Sequence, residues 1–228
     1  MITVLFSGGL DSTVLAEMAH QAGRLHSLIH FSYGQPAAPQ EYEAAERWAR
    51  RRAVSLERII PILHGMGDMR DEVGLPGPRV IPGRNLLLIS MAANYAAAHG
   101  VEELWYGATR DDWDAYPDCR PEFVESVCAL VSEDVGVQVK APLLQMTKHE
   151  VVDTARLLGV DIESTWSCYR ALDGKPCGTC NSCSSRAAAF SRTIEAGSCC
   201  EDVANQRLDP TTGEVVIVSC GADLSNME

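Results

Sequence analysis

The chain has 228 residues and a formal net charge of −12, with 46% hydrophobic and 22% charged residues. These values are typical of a soluble globular protein, and the length suits one α/β domain with or without a small appendage. So negative a charge argues against direct nucleic-acid binding, because few cations are available to replace counterions along a phosphate backbone. The apolar stretches 2–6 and 86–98 are too short for a secretion signal or a membrane span. We therefore expect a cytoplasmic protein with no membrane partner.

Strands and helices alternate along the first 160 residues. The predicted strands are 2–6, 25–31, 56–62, 103–106 and 137–141. The predicted helices are 11–21, 41–53, 85–99, 121–134 and a last one that starts with a capping box at Thr147 and ends at Gly159. This alternation predicts an α/β fold, a parallel sheet with helices on both faces, in which ligands bind at the carboxyl ends of the strands.

Three further segments interrupt or follow this pattern. Residues 64–83 are rich in glycine, proline and charge, which predicts a long loop or flap. A cysteine-rich region follows the last helix, so we divide the chain at 1–160, 161–196 and 197–228. The final segment is weakly patterned, and 215–218 is predicted to be a late strand without an assigned function.

The segment between the first strand and the first helix is built to hold an anion. It comprises Phe6, Ser7, Gly8, Gly9, Leu10, Asp11, Ser12 and Thr13. Its glycines permit close approach of a phosphate, and the free amides at a helix start supply donors. Asp11 is compatible with a phosphate if it caps the helix or if a magnesium ion bridges the two. A tight turn without a ligand is the alternative for a bare Gly-Gly pair, and the full string argues against it.

Four cysteines show the spacing of metal ligands. Cys168, Cys177, Cys180 and Cys183 form a C-x8-C-x2-C-x2-C pattern. Four thiolates suit a closed tetrahedral zinc site with a structural role, and an iron–sulfur cluster is the competing metal. Unrelated thiols or disulfides remain the third alternative. Cys119 is separate from this set, and we interpret it as a pocket wall, with a nucleophilic role as the alternative.

Taken in order, the motifs resemble a known family. They are SGGLDST at 7–13, Tyr33-Gly34-Gln35, Pro82-Gly83-Arg84-Asn85, Gly107 with Asp112, Tyr116-Pro117-Asp118-Cys119-Arg120, Pro142 with Lys148, Trp166-Ser167-Cys168-Tyr169 and CGTCNSC at 177–183. The first string resembles the pyrophosphate loop of N-type ATP pyrophosphatases. The whole series, over about residues 1–192, resembles the 7-cyano-7-deazaguanine synthases of queuosine biosynthesis.

This resemblance implies a fold and a reaction. The fold would be Rossmann-like, of the adenine nucleotide alpha hydrolase type, followed by a zinc-binding helical region. The enzyme would be an ATP-dependent carbon–nitrogen ligase that converts 7-carboxy-7-deazaguanine and ammonia to the nitrile through an adenylate and an amide. ATP, magnesium and zinc are the implied cofactors, and a homodimer is the implied assembly.

The resemblance also assigns roles to residues. Asp11, Asp112 and Lys148 would be catalytic, and Arg84, Asn85 and Lys148 would join residues 6–13 in binding ATP. A deazaguanine base needs acceptors and a flat wall. The implied substrate residues are Tyr33, Gln35, Gly107, Asp112, Tyr116, Asp118 and Arg120.

Two segments depart from the family pattern. Pro36-Ala37-Ala38-Pro39 replaces a basic residue and a histidine, and Asp114-Ala115 replaces a small polar residue and glycine. Three hypotheses follow: a nitrile synthase, a diverged relative that stops at the amide or transfers the acid to a protein amine, and an inactive nucleotide-binding module. Intact Ser7, Asp11, Ser12 and Lys148 argue against the third.

Overall fold

The computed structural model describes residues 1–61 and 83–191, together with the backbone of two short strands at 206–208 and 215–217. Almost all of the predicted loop at 64–83, and most of the tail at 197–228, lie outside the described residues. Within the described part, no helix is long and apolar enough to cross a membrane.

Five parallel strands form the central sheet. They are β1 (Ile2–Leu5), β2 (Leu25–Phe31), β3 (Ser55–Ile59), β4 (Glu103–Trp105) and β5 (Gln138–Lys140), in the spatial order β3-β2-β1-β4-β5. All four pairings are parallel, as the alternation predicted. From β1 the chain adds β2 and β3 on one side of the sheet and then returns to add β4 and β5 on the other side, so the strand order reverses between β1 and β4. In such folds this switch point is where the carboxyl ends of the strands open a ligand crevice.

Helices cover both faces of the sheet. They are α1 (Leu10–Gln21), α2 (Ala38–Arg52), α3 (Arg84–Ala98), α4 (Pro121–Val135), α5 (Lys148–Leu157) and α6 (Asn181–Ser191). Successive side chains of β2 enter different cores on the two faces of the sheet. Leu28 packs with α1, α2 and α5, and Ile29 packs with α3 and α4. The predicted α/β fold of Rossmann-like topology is therefore confirmed.

Helix boundaries follow local chemistry. The capping box is present: Thr147 N–H donates to Glu150 at 2.6 Å, and the Glu150 amide donates back to the Thr147 hydroxyl at 3.3 Å. α4 begins at Pro121 as predicted and ends before Gly136, whose φ of 76° suits glycine. α2 begins three residues earlier than predicted because a proline is well tolerated in a first turn. β3 ends at Ile59 rather than at 62.

Two short antiparallel strand pairs complete the described chain. β6 (Ala171–Leu172) and β7 (Lys175–Pro176) were not predicted, although Asp173-Gly174 between them is a strong hairpin signal. Both residues have positive φ, 49° and 75°, as a type I′ turn requires. The predicted late strand appears as β9 (Val215–Ile217), paired antiparallel with β8 (Gln206–Leu208).

Candidate functional site

The glycine loop lies at the switch point between β1 and α1. Gly8 has φ 78°, and a side-chain carbon there would lie 2.6 Å from the carbonyl oxygen of Glu41 and 2.8 Å from the amide of Ala45. Any larger residue would collide with the backbone of α2 and would also be strained. Gly9 is the N-cap of α1 and receives no side-chain cap. The loop is therefore held tightly against α2 with an open helix start.

Donor groups converge on this loop. The Ser7 and Ser12 hydroxyls lie 3.1 Å apart, and the first intrahelical bond runs from Thr13 N–H to Gly9 O at 3.0 Å. The amides of residues 10–12 precede that bond and point out of the helix start. The side chains of Phe6 and Leu10 lie in the core, and the Thr13 hydroxyl donates to Gly9 O. Phosphate contacts would therefore come from amides and from the two serines.

One amine and three carboxylates form the charged centre of the site. Lys148 Nζ lies 2.6 Å from Asp11 Oδ2 and 3.7 Å from Asp112 Oδ2. The backbone N–H of Lys148 donates to Asp111 Oδ2 at 2.8 Å. Thr109 donates to Asp112 Oδ2 at 2.6 Å and receives a bond from Lys148 Nζ at 3.4 Å. The loop, the segment after β4 and the start of α5 thus meet in one cluster.

The cluster carries a net negative charge, because three carboxylates surround one lysine amine. Burial alone would lower the pKa of Lys148, but Asp11 and Asp112 outweigh it, so its pKa is raised and the amine stays protonated. Asp11 Oδ1 is buried and has no hydrogen-bond partner among the described residues. An unpartnered carboxylate oxygen in a site with excess negative charge is a suitable magnesium ligand. The residues present therefore fit a divalent cation and its phosphates.

A second set of polar side chains faces the same crevice from β2 and α3. Arg84 donates to the Tyr33 hydroxyl at 3.3 Å, and its guanidinium carbon lies 6.0 Å from the centre of the Tyr33 ring. Burial lowers the pKa of Arg84, but Tyr33 and Asp118 outweigh it and raise the pKa. Gly83 is the N-cap of α3, and its left-handed backbone, with φ 70°, lets the helix begin at Arg84. Arg84 is thus a half-buried cation held beside the Tyr33 ring.

The segment after β4 adds further aromatic and polar side chains near the glycine loop. The hydroxyls of Tyr116 and Tyr169 lie 3.4 Å apart, which places a residue from the cysteine-rich region beside the predicted substrate segment. A side-chain carbon on Gly107 would lie 3.3 Å from Asp11 Cβ, so this position keeps the β4 loop close to the glycine loop. Arg120 is exposed and donates through Nε to Trp113 O at 2.9 Å. Asn85 is half-buried in the first turn of α3.

Gln35 is engaged within the protein. Its amide oxygen receives the Tyr33 N–H at 2.9 Å, and its amide nitrogen donates to Phe31 O and to Glu41 Oε2, both at 2.9 Å. Only 5% of the residue is exposed. These contacts hold Tyr33 and the first turn of α2 in place. Glu41 itself is half-buried, and the partial loss of solvent raises its pKa.

Cys119 is a protonated thiol in the core between the sheet, α3 and α4. It is 8% exposed, and burial followed by the nearby Asp112 and Asp118 carboxylates raises its pKa to about 12. The thiolate is the nucleophilic form of cysteine, so a thiol with so high a pKa is inert at neutral pH. The geometry therefore argues against the nucleophilic interpretation, and the pocket-wall interpretation stays a prediction.

The four spaced cysteines come together. Their sulfur atoms lie within 4.8 Å of one another, and all four are free thiols. The amides of Arg170 and Cys177 donate to Cys168 Sγ at 3.3 and 3.2 Å, which is a typical environment for a metal-bound thiolate. The donor set fits a closed four-sulfur metal site, and it is compatible with zinc and with iron.

Sequence reasoning assigned no role to several residues of this site, although Trp166 and Tyr169 stand in one of the family motifs. They are Glu41, Thr109, Asp111, Trp166 and Tyr169. Asp111 and Tyr169 are adjacent in sequence to predicted residues, and that proximity was the available signal. Thr109 and Glu41 belong to no recognisable spacing, because they reach the site through the fold.

Comparison with known proteins finds similar sequences and a more distant similarity in structure. A 7-cyano-7-deazaguanine synthase from Ectopseudomonas mendocina is 36% identical over 206 residues, which cover 82% of this chain and 92% of that protein. The 7-cyano-7-deazaguanine synthase 2 of Desulfitobacterium hafniense is 37% identical and covers 82% and 87%. The U34-tRNA thiolase NcsA of Methanococcus maripaludis superposes with a TM-score of 0.49 at 16% identity, covering 76% and 61%. Residues 1–194 match the family described as Queuosine biosynthesis protein QueC, and the chain belongs to that family.

Proposed function

We propose that this protein uses ATP to convert 7-carboxy-7-deazaguanine and ammonia into 7-cyano-7-deazaguanine. Family membership and relatives named for that product support the substrate. The observation that carries the chemistry is the protonated amine of Lys148, set among Asp11, Asp112 and Asp111 beside an open helix start. That arrangement suits stabilisation of charge during transfer at a phosphate.

The first step activates the carboxylate. A carboxylate oxygen of the acid attacks the α-phosphorus of ATP, the bond to the bridging oxygen breaks, and pyrophosphate leaves. The amides of residues 10–12 and the hydroxyls of Ser7 and Ser12 would hold the departing phosphates. Lys148 would offset the developing negative charge. Its short contact to Asp11 fixes the amine at the end of the loop.

Ammonia then displaces AMP from the acyl adenylate, losing a proton, to give the amide. The amide oxygen then attacks the α-phosphorus of a second ATP and pyrophosphate leaves. Loss of AMP and of both protons on the amide nitrogen gives the nitrile. Asp112 is placed to accept such a proton, because one of its oxygens is already fixed by Thr109 and lies near Lys148.

The base would lie between Tyr33 and the pair formed by Tyr116 and Tyr169. These rings supply flat surfaces, and Asp118 supplies an acceptor for amino and ring N–H groups. Arg84 would pair with the carboxylate or with ATP. Gln35 would act indirectly, by holding the Tyr33 backbone. Gly107 keeps this pocket next to the loop, while Arg120 and Asn85 would contact ligand only at its edges.

Two metals belong to the proposal. Asp11 would hold magnesium through its unpartnered oxygen, and the ion would neutralise phosphate charge. The four cysteines would hold a structural zinc. Residues 1–160 would be the nucleotide domain and 161–196 the metal region, although Ala189 of the latter packs in the same core as Val151. We also expect a homodimer, which light scattering would test.

A diverged acyl-transfer enzyme is the second candidate. It is favoured by one observation: residues 36–39 carry no cation, and Ala37 and Ala38 are buried at the start of α2. Without that charge the second activation would be weakened, and the product would remain an amide or pass to a protein amine. The inactive nucleotide-binding module is opposed by the intact amine–carboxylate cluster.

Mass spectrometry of a defined reaction separates these candidates. Purified protein is incubated with ATP, magnesium, 7-carboxy-7-deazaguanine and ammonium. We expect the nitrile together with AMP. Amide and AMP without nitrile would support the acyl-transfer enzyme, and a search for an acceptor protein would follow. No AMP from protein with its metal in place would contradict both enzymatic proposals.

A further inference from the structure

The backbone of Trp166 lies directly against the glycine loop. Its N–H donates to the carbonyl oxygen of Gly8 at 2.9 Å. Its own carbonyl oxygen lies 3.3 Å from the point where a side-chain carbon on Gly9 would stand. Gly8 is the loop residue with positive φ, and rotation of its peptide would redirect the amides that follow. The position of Trp166 therefore helps to set the shape of the loop.

The same segment is attached to the metal site. Two residues after Trp166 comes Cys168, the first of the four cysteines, and the indole N–H of Trp166 donates to Cys168 O at 2.7 Å. α6 begins at Asn181, between the third and fourth cysteines. A metal bound by all four sulfurs would therefore fix the start of α6 relative to Cys168.

Arg186 closes this arrangement from α6. It lies three residues after Cys183, and its guanidinium donates to Thr165 Oγ1 at 2.7 Å, to Ser167 Oγ at 3.1 Å and to Ile162 O at 2.7 Å. The guanidinium carbon also lies 4.8 Å from the centre of the Phe190 ring. The two hydroxyl acceptors flank Trp166 on both sides. One side chain on the metal-bearing helix thus fixes the residue that holds Gly8.

We infer that Arg186 is a positioning residue that couples the four-cysteine metal site to the phosphate-binding loop. The inference rests on the proposed binding of ATP at that loop. Metal holds α6, Arg186 on α6 holds residues 165–167, and the Trp166 amide holds the loop in its ligand-binding shape. Because coupling between two binding sites is reciprocal, bound nucleotide must stabilise the metal by the factor by which metal favours nucleotide.

Metal release from the unmodified protein tests the coupling. The metal-loaded protein is titrated with a metallochromic indicator of known metal affinity that does not bind magnesium, and metal release at equilibrium is read by absorbance. We expect a saturating, non-hydrolysable ATP analogue with magnesium to lower the dissociation constant of the metal about fivefold, the lower end of typical coupling. Binding of the analogue by calorimetry with an unchanged dissociation constant of the metal would overturn the inference. No calorimetric binding would contradict the proposed function itself, and the inference would fall with it.

Arg186→Lys tests the residue, with Arg156→Lys as a matched control. Lysine keeps the charge but lacks the planar fork that reaches three acceptors. We expect Arg186→Lys protein with its full metal content to bind the analogue about tenfold more weakly, about 1.4 kcal/mol, and to lose the nucleotide effect on metal release. Arg156 pairs with Asp153 on the surface of α5, and its replacement should change neither measurement.

Thr165→Val provides a second variant that leaves Arg186 and α6 intact. It removes the 2.7 Å acceptor beside Trp166, and we expect the analogue to bind about threefold more weakly with metal content unchanged. Unchanged affinity in both Arg186→Lys and Thr165→Val would show that the guanidinium contacts are structural only, and would overturn the assignment.

Discussion

Two ion clusters, one around Glu103 and one around Lys148, differ in how completely their charges are paired. The Glu103 carboxylate on β4 forms ion pairs with Arg24 Nη2 at 2.6 Å and with Lys140 Nζ at 3.2 Å. It also accepts a hydrogen bond from the indole N–H of Trp105 at 3.0 Å. One carboxylate there has two cations. In the Lys148 cluster one cation has three carboxylates, and an Asp11 oxygen is unpartnered.

The difference separates a structural role from a binding role. A carboxylate whose oxygens already accept hydrogen bonds and pair with cations is not stabilised further by a bound cation. A cluster with excess negative charge and an unpartnered oxygen is stabilised by an incoming cation. We therefore assign the Glu103 cluster to stability and the Lys148 cluster to ligand binding, and the following predictions test that division.

Lys148→Gln has the largest expected effect. Loss of the amine removes the charge that would offset departing phosphate, and we expect AMP formation to fall by about 100-fold or more. The matched control is Lys140→Gln in the Glu103 cluster, which should stay within about threefold of the unmodified rate. Chromatographic measurement of AMP checks both. Equal losses in the two variants would contradict the division.

Asp11→Asn should weaken the response to magnesium. An amide has one neutral oxygen in place of two charged ones, so the magnesium concentration for half-maximal AMP formation should rise about tenfold. Asp153→Asn, on the exposed surface of α5, is the control. A magnesium titration of both variants is the measurement, and an unchanged midpoint for Asp11→Asn would exclude this carboxylate as the ligand.

Glu103→Gln should change stability and leave catalysis intact. The variant leaves Arg24 and Lys140 without their shared carboxylate, at a cost of about 1–3 kcal/mol, and the melting temperature should fall by about 5 °C. AMP formation per folded molecule should not change. A large loss of activity at temperatures where the variant is folded would contradict a purely structural role.

The Glu103 contribution should also depend on pH. Burial would raise its pKa, but hydrogen bonds from Trp105 and Lys140 outweigh it and lower the pKa. A carboxylate with a lowered folded pKa contributes its full stability above the unfolded value, about 4.3, and loses it as pH falls through the folded pKa. The difference in unfolding free energy between the unmodified protein and Glu103→Gln should therefore shrink below about pH 4.

Cys119→Ala has the smallest expected effect. The thiol is buried beside Asp112 and Asp118, and with a pKa raised to about 12 it is protonated at neutral pH. AMP formation should stay within about threefold of the unmodified rate, and alkylation of the native protein at Cys119, followed by peptide mass spectrometry, should be slow. Rapid labelling together with loss of activity would restore the nucleophilic alternative.

The sequence by itself determined the alternation of strands and helices, the glycine loop and the cysteine spacing. These features are local: a capping box or a glycine pair depends on residues within one turn of each other, and the four cysteines lie within about sixteen residues. They predicted the parallel sheet, the position of the crevice and the convergence of the four sulfur atoms. The Asp173-Gly174 hairpin was equally local and was overlooked.

Only the tertiary structure decided which of these residues act together. The 2.6 Å contact between Asp11 and Lys148 joins positions 137 residues apart, and the Trp166–Gly8 bond joins the cysteine region to the first loop. It also decided that Gln35 is engaged internally and that Cys119 is protonated. The physical reason is that burial, charge balance and hydrogen-bond completeness arise from side chains brought together by packing, and sequence spacing carries no record of them.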